Sequence, residues 1–229
     1  MHNSTALSLG DCIVTSSQEV VIIDYGVGNL LSVKRGLECV GAKVTVTSNP
    51  EVILRSKKVV LPGVGAFPKA MQALIDQDLV STIQEFVKLG NSLLAICLGM
   101  QLLLDESEEF VLTSGLGLIP GRVVQIPSAT TEGGLQKIPH IGWNELQASD
   151  TRKGWSETLL HDIQSGEYVY FVHSYMAQPI NPLHRVADVN YGGYQIPAVI
   201  SKDRITGCQF HPEKSGEVGL KILKRFVSE

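Results

Sequence analysis

Ser92-Leu93-Leu94-Ala95-Ile96-Cys97-Leu98-Gly99-Met100-Gln101-Leu102-Leu103-Leu104 is the stretch on which the reading of this chain turns. Leu93 to Ile96 is an apolar run of strand length, and Met100 to Leu104 is a run of good helix formers. Cys97 follows the strand at once. A buried strand that turns sharply into a helix presents one reactive atom at the corner, in a strained backbone conformation that tolerates only small neighbours. Ala95 and Gly99, one on each side of Cys97, meet that need. The thiol then sits at the carboxyl end of a strand and the amino end of a helix, where free N–H groups favour a thiolate. The same residues also describe a core cysteine, because a Cys behind four apolar residues is commonly packed inside.

The segments before this corner repeat one rhythm. Val20 to Asp24 reads as a buried strand and Tyr25 to Asn29 as a tight loop. Leu30, Val33, Leu37 and Val40 then recur at helical spacing until Gly41. Lys43 to Thr47 and Val59 to Leu61 are further strands. Phe67 to Leu89 is mostly helical, in one piece or two, with Leu74, Leu79, Ile83, Phe86 and Leu89 as candidate inward residues. Strand, helix, strand, helix in this order argues for a parallel sheet with helices on both faces. From Gly115 on the pattern changes to short β-like runs: Gly121 to Gln125, Tyr168 to Val172, Arg185 to Val189, Ala198 to Ser201 and Ile205 to Phe210. Ser128 to Gln136 reads as a mobile loop, and Gly219 to Val227 as a closing amphipathic helix. The expected organisation is a loose tail over residues 1–17 and one domain over 18–229.

The composition is that of an ordinary globular protein, 44% hydrophobic and 18% charged. A net charge of −4 without a basic stripe argues against nucleic acid as a partner. Cys12, Cys39, Cys97 and Cys208 show no CxxC pairing, which fits a reducing cytoplasm better than a disulfide framework or a structural zinc site. No apolar run approaches the roughly 18 residues of a membrane span.

Two more turns carry chemistry. In Gln209-Phe210-His211-Pro212-Glu213 a strand delivers His211 at its carboxyl end, Pro212 stops the strand, and Glu213 stands close enough to hold the imidazole. A nucleophile, a base and a carboxylate that orients the base form the logic of acyl transfer. In Pro62-Gly63-Val64-Gly65, glycines on both sides of one residue let backbone N–H groups face a site, as an oxyanion requires. Each motif alone also describes an ordinary surface turn. All three stand at strand carboxyl ends, where α/β sheets collect their sites.

Pro62 to Gly65, Ala95 to Gln101 and His211 to Glu213, in this order, resemble the class I (triad) glutamine amidotransferases. Asp24 to Asn29, Cys97 to Gln101 with Glu108 and Glu109, Ile141 to Asn144, Phe171 to Tyr175 and His211 to Lys214 resemble, within that class, the glutaminase subunits of imidazole glycerol phosphate synthases. Ala95 departs from the Gly that many members carry. The resemblance implies a flavodoxin-like α/β fold, with a central mostly parallel sheet and a small added antiparallel region. It implies that Cys97 attacks the carboxamide of glutamine, that His211 activates the thiol, and that Glu213 orients His211. Gly63, Val64 and Leu98 are implied around the oxyanion, and Gly65, Gln101, Glu109, His173, Ser174 and Tyr175 around the substrate. Asn29, Arg35, Trp143 and Lys214 are implied at the interface with a separate (β/α)8-barrel cyclase subunit that receives the ammonia. No cofactor and no metal is implied.

Other readings carry less. Gly26-Val27-Gly28 lacks the third glycine of a dinucleotide fingerprint, since residue 31 is Leu. A metal site from Cys97, His173, His211 and Glu213 fits no standard zinc spacing. The rivals left open are a glutaminase serving another synthase and a catalytically silent binding subunit.

Overall fold

The computed structural model describes residues 18–150 and 154–229, and the tail expected at 1–17 lies outside them. The first half alternates as β1 (Glu19–Ile23), α1 (Leu30–Cys39), β2 (Lys43–Thr47), α2 (Pro50–Arg55), β3 (Lys58–Gly63), α3 (Phe67–Asp76), α4 (Leu79–Lys88), β4 (Ser92–Cys97) and α5 (Leu98–Leu102). The second half is strand-rich. It runs through β5 (Glu106–Ser107), β6 (Thr113–Ser114), β7 (Gly121–Gln125), β8 (His140–Glu145), β9 (Gln147–Ala148), β10 (Tyr168–His173) and β11 (Tyr175–Pro179). It then continues through β12 (Arg185–Tyr191), β13 (Tyr194–Lys202) and β14 (Ile205–Cys208), and ends in α6 (Gly216–Ser228).

The main sheet has the order β2-β1-β3-β4-β14-β13-β12-β9. From β2 to β14 all neighbours are parallel. β13, β12 and β9 extend the sheet antiparallel. A separate sheet β11-β7-β5-β6 and the pair β10-β8 form the small, mostly antiparallel region. Successive side chains of a strand point to opposite faces, so a central strand covered on both faces must be apolar at every position. β4 shows the consequence: Leu94 and Ile96 join the core under α1 and α6, while Leu93 and Ala95 join the core under α3 and α4. No helix among the described residues is long and apolar enough to cross a membrane.

The structure changes several sequence expectations. β3 runs beyond Leu61 because Pro62 and Gly63 keep pairing with Ile96 and Cys97. The helical stretch takes the two-piece form, divided at Asp78, which adopts φ 56° between α3 and α4. Leu89, expected inside, is 61% exposed: α4 ends at Lys88, and the chain swings outward into Gly90 at φ +77°. β14 stops at Cys208, before Gln209 and Phe210. Residues 128–136, expected as a mobile loop, carry hydrogen bonds of their own. Thr130 N donates to Gly134 O at 2.8 Å, Gln136 N donates to Ser128 O at 2.9 Å, and Thr131 N donates to Gly192 O at 2.9 Å. α2, β8 and β11 were not anticipated.

Gly99 fixes how closely β3 and the β4–α5 corner approach. A Cβ there would stand 2.1 Å from the Leu61 carbonyl oxygen, a backbone atom of the neighbouring strand. Gly99→Ala therefore forces two paired strands apart. The expected loss, read by chemical denaturation, is about 1–3 kcal/mol, the usual range for overpacking a closed core.

Candidate active site

Cys97 is the last residue of β4 and adopts φ 56°, ψ −112°. A side chain at such a φ is strained and persists only where its surroundings impose it. Here the imposition comes from β3 and β14 pairing along both sides of β4, with Gly63 opposite Cys97 and Cys208 opposite Ile96. The turn lifts the sulfur out of the sheet and leaves it 7% exposed. Its polar neighbours are the Val172 carbonyl, 3.8 Å away, and Gln209 Nε2, 3.9 Å away.

β14 leads to His211, and a 3-10 turn at Pro212–Lys214 folds Glu213 back beneath it. The backbone of His211 is tied down on both sides: its N–H donates to Tyr170 O at 3.0 Å, and Ser215 Oγ donates to His211 O at 2.7 Å. His211 Nδ1 donates to Glu213 Oε1 at 2.8 Å, with both side chains essentially closed to solvent. Nε2 and Glu213 Oε2 are buried and make no hydrogen bond of ordinary geometry. Burial alone would pull the ring's pKa down. Attraction from Cys97, and then from Glu213, outweighs it and raises the value to about 9. With Nδ1 committed to a carboxylate, Nε2 is the nitrogen left for proton transfer.

A cavity of about 270 Å³ opens over the sulfur. Its walls include Cys97, Leu98, His211, Val64, Gly65, Gln101, Glu109, His173, Ser174 and Tyr175, so it gathers nearly every residue expected around substrate and oxyanion. Gly63 stands just behind, in register with Cys97. A larger cleft of about 780 Å³, lined by Asp105, Arg122, Gln178 and Arg185, contains none of those residues. Gly65 has φ +98° and open space around it, whereas a Cβ at Gly63 would meet Gly99 N and Tyr25 Oη at 2.8 Å. Glu109 is partly committed: its Oε2 accepts from Phe67 N at 2.6 Å, at the start of α3. Both ring nitrogens of His173 bond inside the protein, to His140 and to Tyr175 O. Among the described residues no cluster of His, Cys, Asp and Glu is arranged to hold a metal ion.

The glutamine amidotransferase class-I family model matches residues 21–229. The chain belongs to this family. A subunit HisH 1 of imidazole glycerol phosphate synthase from Legionella pneumophila (strain Lens) is 50% identical over 91% of this chain and 98% of its own length. The HisH subunit from Bacillus cereus (strain B4264) is 48% identical over 90% and 93%. The structure of PurLQS from Thermotoga maritima superposes with a TM-score of 0.68 over 93% of this chain and 98% of that one. At 15% identity that likeness speaks for the fold alone. This amidotransferase therefore has the class I fold expected from its motifs, with the mostly parallel sheet and the small antiparallel region.

The four positions expected at an interface lie outside the cavity. Asn29 precedes α1, and Arg35 and Lys214 are exposed. Trp143 is 56% exposed on β8, two residues from Ile141 at 54%. The second tryptophan, Trp155, is the core one, and its indole N–H donates to Val186 O at 2.9 Å. Sequence reasoning missed three contributors. Tyr25 Oη donates to Pro62 O at 2.7 Å and anchors the Pro62 to Gly65 loop. Burial, then the charge of Cys97, pushes that hydroxyl's pKa well above its usual value. Gln209 touches the sulfur, and His140 touches His173. Tyr25 stood within a quoted motif, but nothing in its spacing announced a partner 37 residues on.

Proposed function

We propose that this amidotransferase is the glutaminase subunit of an imidazole glycerol phosphate synthase, cleaving glutamine to glutamate and ammonia through Cys97, His211 and Glu213. The observation that carries the reading is the meeting of a strained thiol with a carboxylate-held imidazole in a cavity lined by Gly65, Gln101 and Glu109. Cys97 Sγ attacks the side-chain carboxamide carbon. The oxyanion rests on the N–H of Leu98, free because it lies in the first turn of α5, and on an N–H of the Gly63 to Gly65 loop. His211 protonates the departing ammonia, which leaves a glutamyl thioester. His211 then takes a proton from water as that water hydrolyses the thioester. The α-amino and α-carboxyl end of glutamine lies against Gln101, Glu109 and the His173 to Tyr175 wall.

Ammonia released into water is protonated and lost, so the product passes to a separate (β/α)8-barrel cyclase docked over Asn29, Arg35, Trp143 and Lys214. The exposed pair Ile141 and Trp143 supplies the apolar centre such a contact needs. The test is to mix this chain with a purified barrel subunit and follow glutamine-dependent turnover of the barrel's ribonucleotide substrate. Low glutaminase activity alone and strong activation in the mixture are expected. Full activity alone, unchanged by the barrel, overturns the coupling. Trp143→Ala is expected to weaken the complex about 30-fold by titration calorimetry, the scale of a central aromatic anchor. Its effect on the free chain's stability is expected to be small, because half of the ring is already in water.

A further inference from the structure

The triad leaves Gln209 without a role, although this side chain is fully buried and lies against the nucleophile. Its two ends are differently engaged. Oε1 accepts from Gln101 Nε2 at 3.0 Å, and Nε2 faces Cys97 Sγ at 3.9 Å. Turning the amide over would set its N–H groups against those of Gln101, so the donor end is held toward sulfur.

Gln101 is itself braced. The same Nε2 donates to Tyr175 O at 3.1 Å, and that carbonyl also accepts from His173 Nδ1 at 2.9 Å. A carbonyl only accepts, so the proton of neutral His173 is on Nδ1 and its Nε2 is an acceptor. His140 Nδ1 fills that position at 3.0 Å, and Asn144 Nδ2 reaches His140 Nε2 at 3.5 Å. Burial lowers the pKa of His173 to about 3 and that of His140 to about 4, so both rings are neutral at ordinary pH. His140 is further wedged between Phe171 and Tyr191, with ring centroids at 4.9 and 4.0 Å. A polar run thus extends from β8 to the Tyr175 carbonyl, where the donors of His173 and Gln101 converge, and Gln101 in turn holds the amide that faces the nucleophile.

We propose that Gln209 is a further catalytic residue, a fixed N–H donor to the Cys97 sulfur, with Gln101 as the positioning residue that holds its amide in that orientation and with His173, His140 and Asn144 bracing the Tyr175 carbonyl on which Gln101 is anchored. The proposal rests on the reading of Cys97 as the nucleophile. When His211 takes the thiol proton, the sulfur becomes anionic in a nearly closed site. A donor already aimed at it needs no reorganisation. The same donor receives the sulfur when the thioester is hydrolysed and the thiolate departs. A separation of 3.9 Å fits a ligand-free site, since catalytic hydrogen bonds in ligand-free enzymes are often long and tighten as charge develops. The other ionisable groups acting at the sulfur are His211, Glu213 through His211, and Tyr25, and the side chain of Gln209 hydrogen-bonds to none of them.

The test is the pH profile of iodoacetamide alkylation in the full-length chain, followed on the Cys97 peptide by mass spectrometry. The exposed Cys39 is the internal reference. Gln209→Met keeps the length and removes the donor. It is expected to slow alkylation about tenfold at pH 7, to move the profile about one unit higher, and to leave the high-pH rate unchanged. Its kcat for glutamine falls about tenfold at unchanged KM. Asn144→Ala, at the far end, is expected to give a shift in the same direction of two- to threefold. Gln209→Glu keeps the shape and puts an acceptor where the donor was, so it serves if the Met variant does not fold, and it shifts the profile further. A folded Gln209→Met protein with the wild-type profile, or one slowed equally at every pH, overturns the role of Gln209. Wild-type Cys97 reacting no faster than Cys39 overturns instead the reading of Cys97 as nucleophile.

Discussion

Cys97→Ala is expected to lower glutamine hydrolysis by at least about 10⁴-fold, in the range found when a covalent nucleophile is removed. The remaining groups cannot substitute for it. His211 Nε2 faces no other nucleophile among the described residues, and Cys208, one strand away, is fully buried with its pKa pushed up by burial and then by the charge of Glu213. Stability gives a second, independent readout. Alanine keeps a Cβ at φ 56°, whereas glycine occupies such a conformation without steric cost. Cys97→Gly is therefore expected to be more stable than Cys97→Ala by about 1–2 kcal/mol, the scale of one strained residue, although glycine also loosens the unfolded chain. Both variants are inactive. Calorimetric melting of the pair checks this, and equal melting temperatures would mean that the corner is not strained. An active Cys97→Ala protein would remove the chemistry altogether.

How much of this was legible in the sequence depends on range. β1, β3 and β4 announce themselves because a central parallel strand is apolar on both faces, and the sequence shows that directly as Val-Val-Ile-Ile over Val20 to Ile23 or Leu-Leu-Ala-Ile over Leu93 to Ile96. The three chemical turns could be read because each needs glycine or proline beside it. α2 carried a local signal that went unread. Asn49 precedes Pro50 and Glu51, and Asn49 Oδ1 does accept from Glu51 N at 2.9 Å as an N-cap. β8 and β11 gave weaker signals, since Gly142 and Pro179 interrupt the β-forming pattern and their partners lie far away in sequence. The polar run beneath the nucleophile was out of reach in principle. Gln101 and Gln209 are separated by 108 positions, and an isolated Gln in a strand-like segment has no periodicity to betray its partner.

Glu213→Gln is expected to lower kcat by about 10²–10⁴-fold while leaving KM for glutamine nearly unchanged, because Glu213 touches His211 and no wall of the cavity. The amide keeps the shape but can offer N–H to His211 Nδ1 in place of accepting from it. The imidazole then carries its proton on Nε2, the nitrogen that must receive the one from sulfur. A pH signature accompanies the loss. The pKa of His211 rises from 6.5 to about 9 on folding, so its charged form is favoured in the native state. A raised pKa contributes stability that is complete below about 6.5 and vanishes as pH climbs through 9. At about 1.4 kcal/mol per unit, the full contribution is about 3 kcal/mol. Removing the carboxylate cancels the part owed to Glu213, the second cause after Cys97, so Glu213→Gln is expected to be destabilised at pH 6 and close to wild type at pH 9.5. Above the titration the wild-type carboxylate stays buried beside a neutral ring, an unfavourable placement that the amide avoids. Urea unfolding at the two pH values measures the difference directly. A gap between wild type and variant that widens with rising pH would mean that the imidazole is neutral in the native protein at pH 6, and that the pKa of His211 is not raised by its neighbours.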